Sequence, residues 1–128
     1  MDSLTSPIGK NIVVYDLETK WSVGTPVENS ATRKITWDDH DLMGISSLVI
    51  YDYESSDYCV YMDDNMPDAV ARLNNADLVV GFNQVGFDEK VLIGAGHSLE
   101  VKKNYDLLYF GRRGMGWCDG DRYPPGCK

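Results

Sequence analysis

Asn11-Ile-Val-Val-Tyr-Asp16-Leu-Glu18 decides how the chain is read. Ile12, Val13 and Val14 are adjacent and β-branched, which makes residues Lys10 to Asp16 a short buried strand. Strand side chains alternate between faces, so Ile12, Val14, Asp16 and Glu18 share one parity. That parity begins apolar and ends in two carboxylates at the strand's carboxyl end, the usual ligand-binding edge of sheets with parallel strands. Two carboxylates there repel, and each holds its proton more tightly unless a cation lies between them. A hard ion such as Mg²⁺ prefers oxygen ligands of this kind. Taken alone, however, the pair also reads as two surface acids at a strand end.

Working outward, Thr19 to Asp41 is polar, contains Gly24 and Pro26, and reads as a long loop whose length suggests function. Leu42 to Tyr51 and Asp57 to Met62 read as the strands of a hairpin turned at Asp52 to Ser56. Asp64-Asn-Met-Pro67-Asp68 has the chemistry of a helix start, and Met66, Ala69, Val70 and Leu73 keep helical spacing until Asn74-Asn75. Ala76 to Phe82 is another buried strand. Phe87 to Ile93 is a short helix closed by Gly94 and Gly96, and Tyr105 to Phe110 is a last strand. The order β-β-β-α-β-α-β predicts an α/β fold with a mixed sheet flanked by helices. Beyond Phe110 the chain is rich in Gly, Pro and Arg and has no apolar period. The expected organisation is an N-terminal tail (1–10), one domain (11–110) and an irregular tail (111–128).

With 128 residues, 43% of them hydrophobic, the chain suffices for one domain with a core. It has no apolar run long enough for a membrane span, and its N-terminus lacks a basic segment followed by an apolar one. Neither a membrane partner nor a secretory signal is expected. Cys59, Cys118 and Cys127 are odd in number and lack Cys-x-x-Cys spacing. This argues against a disulfide framework or zinc knuckle and favours a reducing, cytoplasmic compartment. Cys59, in an apolar strand pattern, is expected to be buried. A net charge of −8 disfavours a protein that coats nucleic acid through its overall field. An enzyme acting on nucleic acid remains compatible, because bound divalent cations reverse the sign of a carboxylate site.

After the strand Ala76-Asp-Leu-Val-Val80 comes Gly81-Phe-Asn83-Gln-Val-Gly-Phe87-Asp88-Glu89, with Asp88 opening the next helix. A cap role explains Asp88 alone, since the helix dipole favours an acid there, and a core role explains Phe87. Together the two segments resemble the first two motifs of the DEDD 3′–5′ exonucleases, proteins of the RNase H-like fold. Asp16-Leu17-Glu18-Thr19 is similar to the first motif, Asp-x-Glu on the first strand. Asn83-Gln-Val-Gly-Phe87-Asp88 is similar to the second, Asn-x-x-x-Phe-Asp after the fourth strand. The resemblance runs from about Asn11 to Phe110. It implies an RNase H-like sheet and two-metal phosphodiester hydrolysis with Mg²⁺ or Mn²⁺, one ion generating hydroxide and the other stabilising the leaving oxygen. It further implies that Asp16, Glu18 and Asp88 hold the ions as catalytic residues. The backbone around Leu17 to Thr19 and the Asn83 side chain would then lie near the terminal nucleotide of single-stranded DNA or RNA with a 3′ end. Whether a polymerase or helicase is also a partner is left open.

The family's third motif, Tyr or His four residues before Asp, positions the attacking water and follows the second motif. Tyr53-Glu-Ser-Ser-Asp57 has the letters but precedes the second motif, in the hairpin turn. After Asp88, His97 is followed four positions later by Val101 and Tyr105 by Tyr109, while Asp106 stands in the last strand, too early in the fold. An early stop, an altered reading frame or a diverged C-terminus each accounts for the change after Phe110. Without a partner for the water, a weak or inactive chain is expected. The alternatives are a catalytically incomplete RNase H-like module that binds nucleic acid or protein, and an acidic cation-binding domain. Trp37-Asp-Asp-His40-Asp41 has metal-ligand residue types but reads as an exposed loop. Gly111-Arg-Arg-Gly-Met-Gly116 lacks the Lys-Ser/Thr ending of a phosphate loop. Lys102, Lys103, Arg112 and Arg113 form a modest basic cluster that phosphate contact and a solvated loop explain equally well.

Overall fold

The computed structural model describes residues 11–114 and 116. Five strands form one sheet: β1 (Ile12–Thr19), β2 (Ile45–Asp52), β3 (Asp57–Tyr61), β4 (Leu78–Gly81) and β5 (Asn104–Asp106). Their order is β3-β2-β1-β4-β5, with β1, β2 and β3 antiparallel and β1, β4 and β5 parallel. This is the expected mixed α/β sheet, consistent with an RNase H-like fold, with the hairpin on one side of β1 and the parallel crossovers on the other.

The buried parity of β1 is Val13, Tyr15 and Leu17, so the acids ride on the opposite face with Ile12 and Val14. The expected shared parity holds, but the core is built by the other set. In register, Leu17 faces Leu48, Tyr15 faces Ile50 and Val13 lies beside Val79, all buried. Helix α2 (Met66–Asn75) brings Met66, Ala69, Val70 and Leu73 into the same core. Met66, Val70 and Leu73 each contribute roughly 1.5–3 kcal/mol by leaving water, and the smaller Ala69 less. Pro67 sits in the first turn, where its missing N–H costs nothing. Asn65 occupies the cap position, but its Oδ1 turns back to accept the Met62 N–H at 2.7 Å.

Among the described residues the other sheet face carries no core. Tyr58, Tyr51, Val14, Val80 and Tyr105 stand opposite one another in a row across all five strands. The neighbouring row is Val60, Val49 and Asp16. These side chains are half-buried or exposed. Helix α4 (Leu107–Gly114) begins to cover one end, where Phe110 stacks on Tyr105 with centroids 4.2 Å apart.

Several expectations change. Tyr105–Phe110 is not a strand: β5 stops at Asp106, and residues 107–114 are helical, so the first residues of the expected irregular tail belong to α4. Asp106 ends the strand by accepting the Leu108 N–H at 3.0 Å, the bond of a helix cap. Leu42 belongs to a short helix α1 (His40–Met43) rather than to β2. Cys59 is exposed, because β3 is the sheet's edge and no described residue covers it. The 1–10 tail, Cys118, Cys127 and the tail residues 115 and 117–128 lie outside the described residues. Among the described residues no helix is long and apolar enough to cross a membrane.

Candidate functional site

β1 delivers Asp16 and Glu18 to the carboxyl edge of the sheet, both exposed. The register to β2 slips between Glu18 and Thr19, a bulge that turns the strand end away from its partner. Thr19 is half-buried and lies opposite Ile45 just beyond the bulge. Leu17 points into the core, while its backbone N–H lies between the two acids in sequence.

Asp88 arrives from the adjacent parallel strand. β4 ends at Gly81, a wide π-type turn spans Gln84–Asp88, and helix α3 (Glu89–Gly94) follows. Asp88 holds the cap position of α3 but makes no side-chain capping bond. Instead its Oδ2 accepts the Leu17 N–H at 3.2 Å. Asp88 as a residue is 5% exposed. Burial pushes its pKa up to about 6; the Leu17 N–H opposes the rise, and the charges of Asp16 and Asp106 add to it. Asp88 is thus tied to β1 through the Leu17 amide, between the two acids in sequence. Beneath it, the Tyr15 hydroxyl is buried without a hydrogen-bond partner among the described residues. Burial and the charges of Asp88, Glu89, Asp106 and Asp16 raise it far beyond the usual phenol range.

The π-type turn is fixed by buried polar contacts. Gln84 is fully buried and its Nε2 donates to the Tyr105 carbonyl at 3.1 Å. Its Oε1 and Cδ lie 2.8 and 2.9 Å from where a Cβ on residue 81 would sit, so a larger residue there would displace the buried Gln84 side chain. Asn83 adopts the left-handed conformation (φ 57°, ψ 25°), which asparagine tolerates. Its N–H donates to Asp106 Oδ1 at 2.8 Å, and Val85 N–H reaches Oδ2 at 3.4 Å. Asp106, set aside on sequence grounds, thus anchors the segment that carries Asn83 and adds negative charge near Asp88. An acid immediately before the apolar run Leu107–Phe110 is the helix-start signal that identifies it.

The donor set of Asp16, Glu18 and Asp88 is chemically suited to a divalent cation, being all hard oxygen. Among the described residues, however, no three Asp, Glu, His or Cys side chains converge closely enough to hold an ion as they stand. Within the Trp37–Asp41 segment, Asp39 and His40 are engaged elsewhere. Asp39 accepts from Thr36 N–H and Oγ1 at 2.8 and 2.9 Å and pairs with Arg33 at 2.8 Å. His40 packs edge-on against Phe87. Tyr53 and Asp57 lie in the β2–β3 hairpin, as expected. The basic cluster divides: Lys102 approaches Asp77 before β4, whereas Arg112 and Arg113 line a cavity of about 440 Å³ with Asn83, Asn104 and Asp106.

No protein-family model matches the sequence, and no curated protein does. Among solved structures, the chain is similar to the family B DNA polymerase from the hyperthermophilic archaeon Pyrobaculum calidifontis, with a TM-score of 0.48 and 16% identity over 76% of this chain. The match spans 15% of the polymerase's own length.

Proposed function

We propose that the carboxyl edge of β1 is a divalent-cation site of the 3′–5′ exonuclease type, acting on the 3′ end of single-stranded DNA or RNA. The observation that carries this reading is Asp88. Its buried carboxyl group forgoes capping its own helix and takes the amide between Asp16 and Glu18 instead. Asp16, Glu18 and Asp88 would hold Mg²⁺ or Mn²⁺, which supplies an activated water and charge stabilisation on the leaving oxygen. The Leu17 N–H keeps Asp88 turned towards the β1 acids. The backbone of Leu17 to Thr19 and the Asn83 side chain bind the terminal nucleotide, Asn83 from a backbone anchored on Asp106. Among the described residues no Tyr or His stands four positions before an acid after Asp88. The attacking water then lacks an orienting partner, and the isolated chain is expected to cut slowly or not at all.

Calorimetric titration with Mn²⁺ tests the site: binding by the wild type, abolished by Asp16→Ala and by Asp88→Asn, is the expected result. Unchanged Mn²⁺ affinity in Asp16→Ala would sink the reading. Robust Mg²⁺-dependent digestion of a 5′-labelled oligonucleotide from its 3′ end, lost in Asp16→Ala, would overturn the expectation of weak activity.

The unconverged carboxylates favour a second reading, a catalytically incomplete module that binds nucleic acid or protein. It predicts oligonucleotide affinity that is indifferent to Mn²⁺ and to Asp16→Ala.

A further inference from the structure

We infer that the outer edge of β3 is a docking site for an extended, arginine-bearing segment of a partner protein, which joins the sheet there as a further strand. β3 ends the sheet, and no described residue pairs with its far side. Its register to β2 runs from Asp57 opposite Asp52 to Tyr61 opposite Leu48 without a bulge, and it contains neither Pro nor Lys. A bulge, a Pro or a Lys is how an edge strand is commonly kept from pairing; the one charge on β3 is Asp57, at its first position. Tyr58 and Val60 stand 69% and 56% exposed on the open face. The Tyr58 N–H is met by a side chain, Asp57 Oδ1 at 2.8 Å, an oxygen that the carbonyl of an incoming strand can replace.

Charge selects the occupant. Between Lys34 and Arg72 the sequence has nine Asp or Glu and no Lys or Arg, and the β2–β3 hairpin lies inside that stretch. Asp57 opens β3, and Asp63 and Asp64 follow its end. Cations reach in from outside: Lys20 pairs with Asp63, and Arg72 with Asp52 and Glu54. Among the described residues Asp57 and Asp64 have no ion pair, so both ends of the edge keep a negative charge. A second copy of the chain would set these acids against their own kind, and a nucleic acid would set its phosphates against them. A cationic segment meets complementary charge instead. Nothing in this docking requires a metal ion at Asp16, Glu18 or Asp88.

The tyrosines of the open face discriminate among cations. Tyr51 lies 4.8 Å from Tyr58 and 4.9 Å from Tyr53 between ring centroids, the second pair perpendicular. In an added strand, alternate side chains continue the row that runs through Tyr58 and Tyr51. A guanidinium in that row lies over the Tyr58 ring, where planar stacking and cation–π attraction favour arginine over lysine. Main-chain bonds along the β3 edge then give affinity, while the tyrosines and the flanking acids select the sequence.

The test is fluorescence anisotropy of a fluorescein-labelled (Arg-Thr)₄ peptide, with amide hydrogen exchange measured on the same complex. The wild type is expected to bind it and to gain protection within Asp57–Tyr61. (Lys-Thr)₄ is expected to bind roughly two- to fivefold more weakly, a preference that Tyr58→Ala abolishes. (Arg-Pro-Pro)₄, equal in charge but unable to form a strand, is expected to bind at least about tenfold more weakly. Val60→Lys, which puts a like charge on the edge, is expected to weaken (Arg-Thr)₄ binding at least about tenfold. Glu28→Gln, which changes the net charge by the same amount from the loop before α1, is expected to stay within about twofold. No binding by the wild type, equal binding of (Arg-Pro-Pro)₄, or binding without added protection at β3 would overturn the proposal. So would a dimer of the free chain that Val60→Lys dissociates, which assigns the edge to a second copy, or (dT)₈ protecting β3 where the peptide does not, which assigns it to nucleic acid.

Discussion

Asp88 and Asp52 are both largely withdrawn from water, yet acid acts on them in opposite directions. Burial, with the Asp16 charge adding, raises Asp88 to about 6. The folded chain then holds that proton more tightly than the unfolded chain, whose Asp titrates near 3.9. Stability therefore falls as pH rises from about 4 to about 6, and the penalty, at most about 3 kcal/mol, is complete above that interval. Asp88→Asn keeps an acceptor for the Leu17 N–H and removes the charge. It is expected to raise the melting temperature of the cation-free protein at pH 7.5 and to leave it unchanged at pH 4, as calorimetry would register. Added Mn²⁺ is expected to stabilise the wild type but not the variant.

Asp52 has the contrary sign. The Arg72 hydrogen bond, at 2.6 Å from Nε to Oδ2, holds its carboxyl below the ordinary range. That contribution is present above about pH 4 and is lost as pH falls through the lowered value. The two side chains are 18% and 20% exposed, which screens the pair less than a surface ion pair. Arg72→Met is expected to cost about 1–2 kcal/mol at pH 7 and markedly less near pH 3, measured by urea unfolding at both pH values.

Among the elements, α3 depends on one small residue. A Cβ on Gly94 would lie 2.9 Å from the Asp41 Cα and N, which are backbone atoms of α1 and cannot rotate away. Gly94→Ala is expected to destabilise the fold by about 1–3 kcal/mol in chemical denaturation. Gly111, inside α4, has open space at its Cβ. Gly111→Ala is expected to strengthen that helix by about 1 kcal/mol, read as slower amide exchange across 107–114.

The same contrast explains what the sequence made legible. The β2–β3 hairpin and α2 are visible because their apolar periods, 2.0 and 3.6, persist over enough residues to be distinguished. The run Leu107-Leu-Tyr-Phe110 has no such period, and a three-residue β5 is too short to show one. Only Asp106, as a capping acid, marks the change from strand to helix. Helix α1 has four residues and depends on Gly94 for its seat, a tertiary contact that no local pattern encodes. At the candidate site, Asp16, Glu18 and Asp88 stand out in the sequence by motif and position, whereas the contacts of Asp106 with Asn83 and Val85 arise from tertiary packing. Cys59 departs from its expected burial because strand alternation indicates a face but not whether anything lies over it.

For the molecule as a whole, the core helices and the carboxylates make different demands on the sheet. α2 and the buried side of β1 close one face, and the parallel strands β1, β4 and β5 ordinarily belong to sheets covered on both. The opposite face keeps its row of Tyr58, Tyr51, Val14, Val80 and Tyr105 in partial contact with water. Charge repulsion between molecules, from a net −8, is then what keeps such faces apart. That protection vanishes near the sequence pI of about 4.5. Turbidity is expected to rise as pH is lowered towards that value, and to rise earlier in ammonium sulfate, which strengthens apolar association. Tyr58→Lys with Val60→Lys breaks the exposed row at the edge strand and is expected to reduce the turbidity when each protein is held at its own isoelectric pH. The face that the described residues leave open thus sets a colloidal limit: the acidity of this chain is expected to keep it dispersed, and mild acid to remove that safeguard.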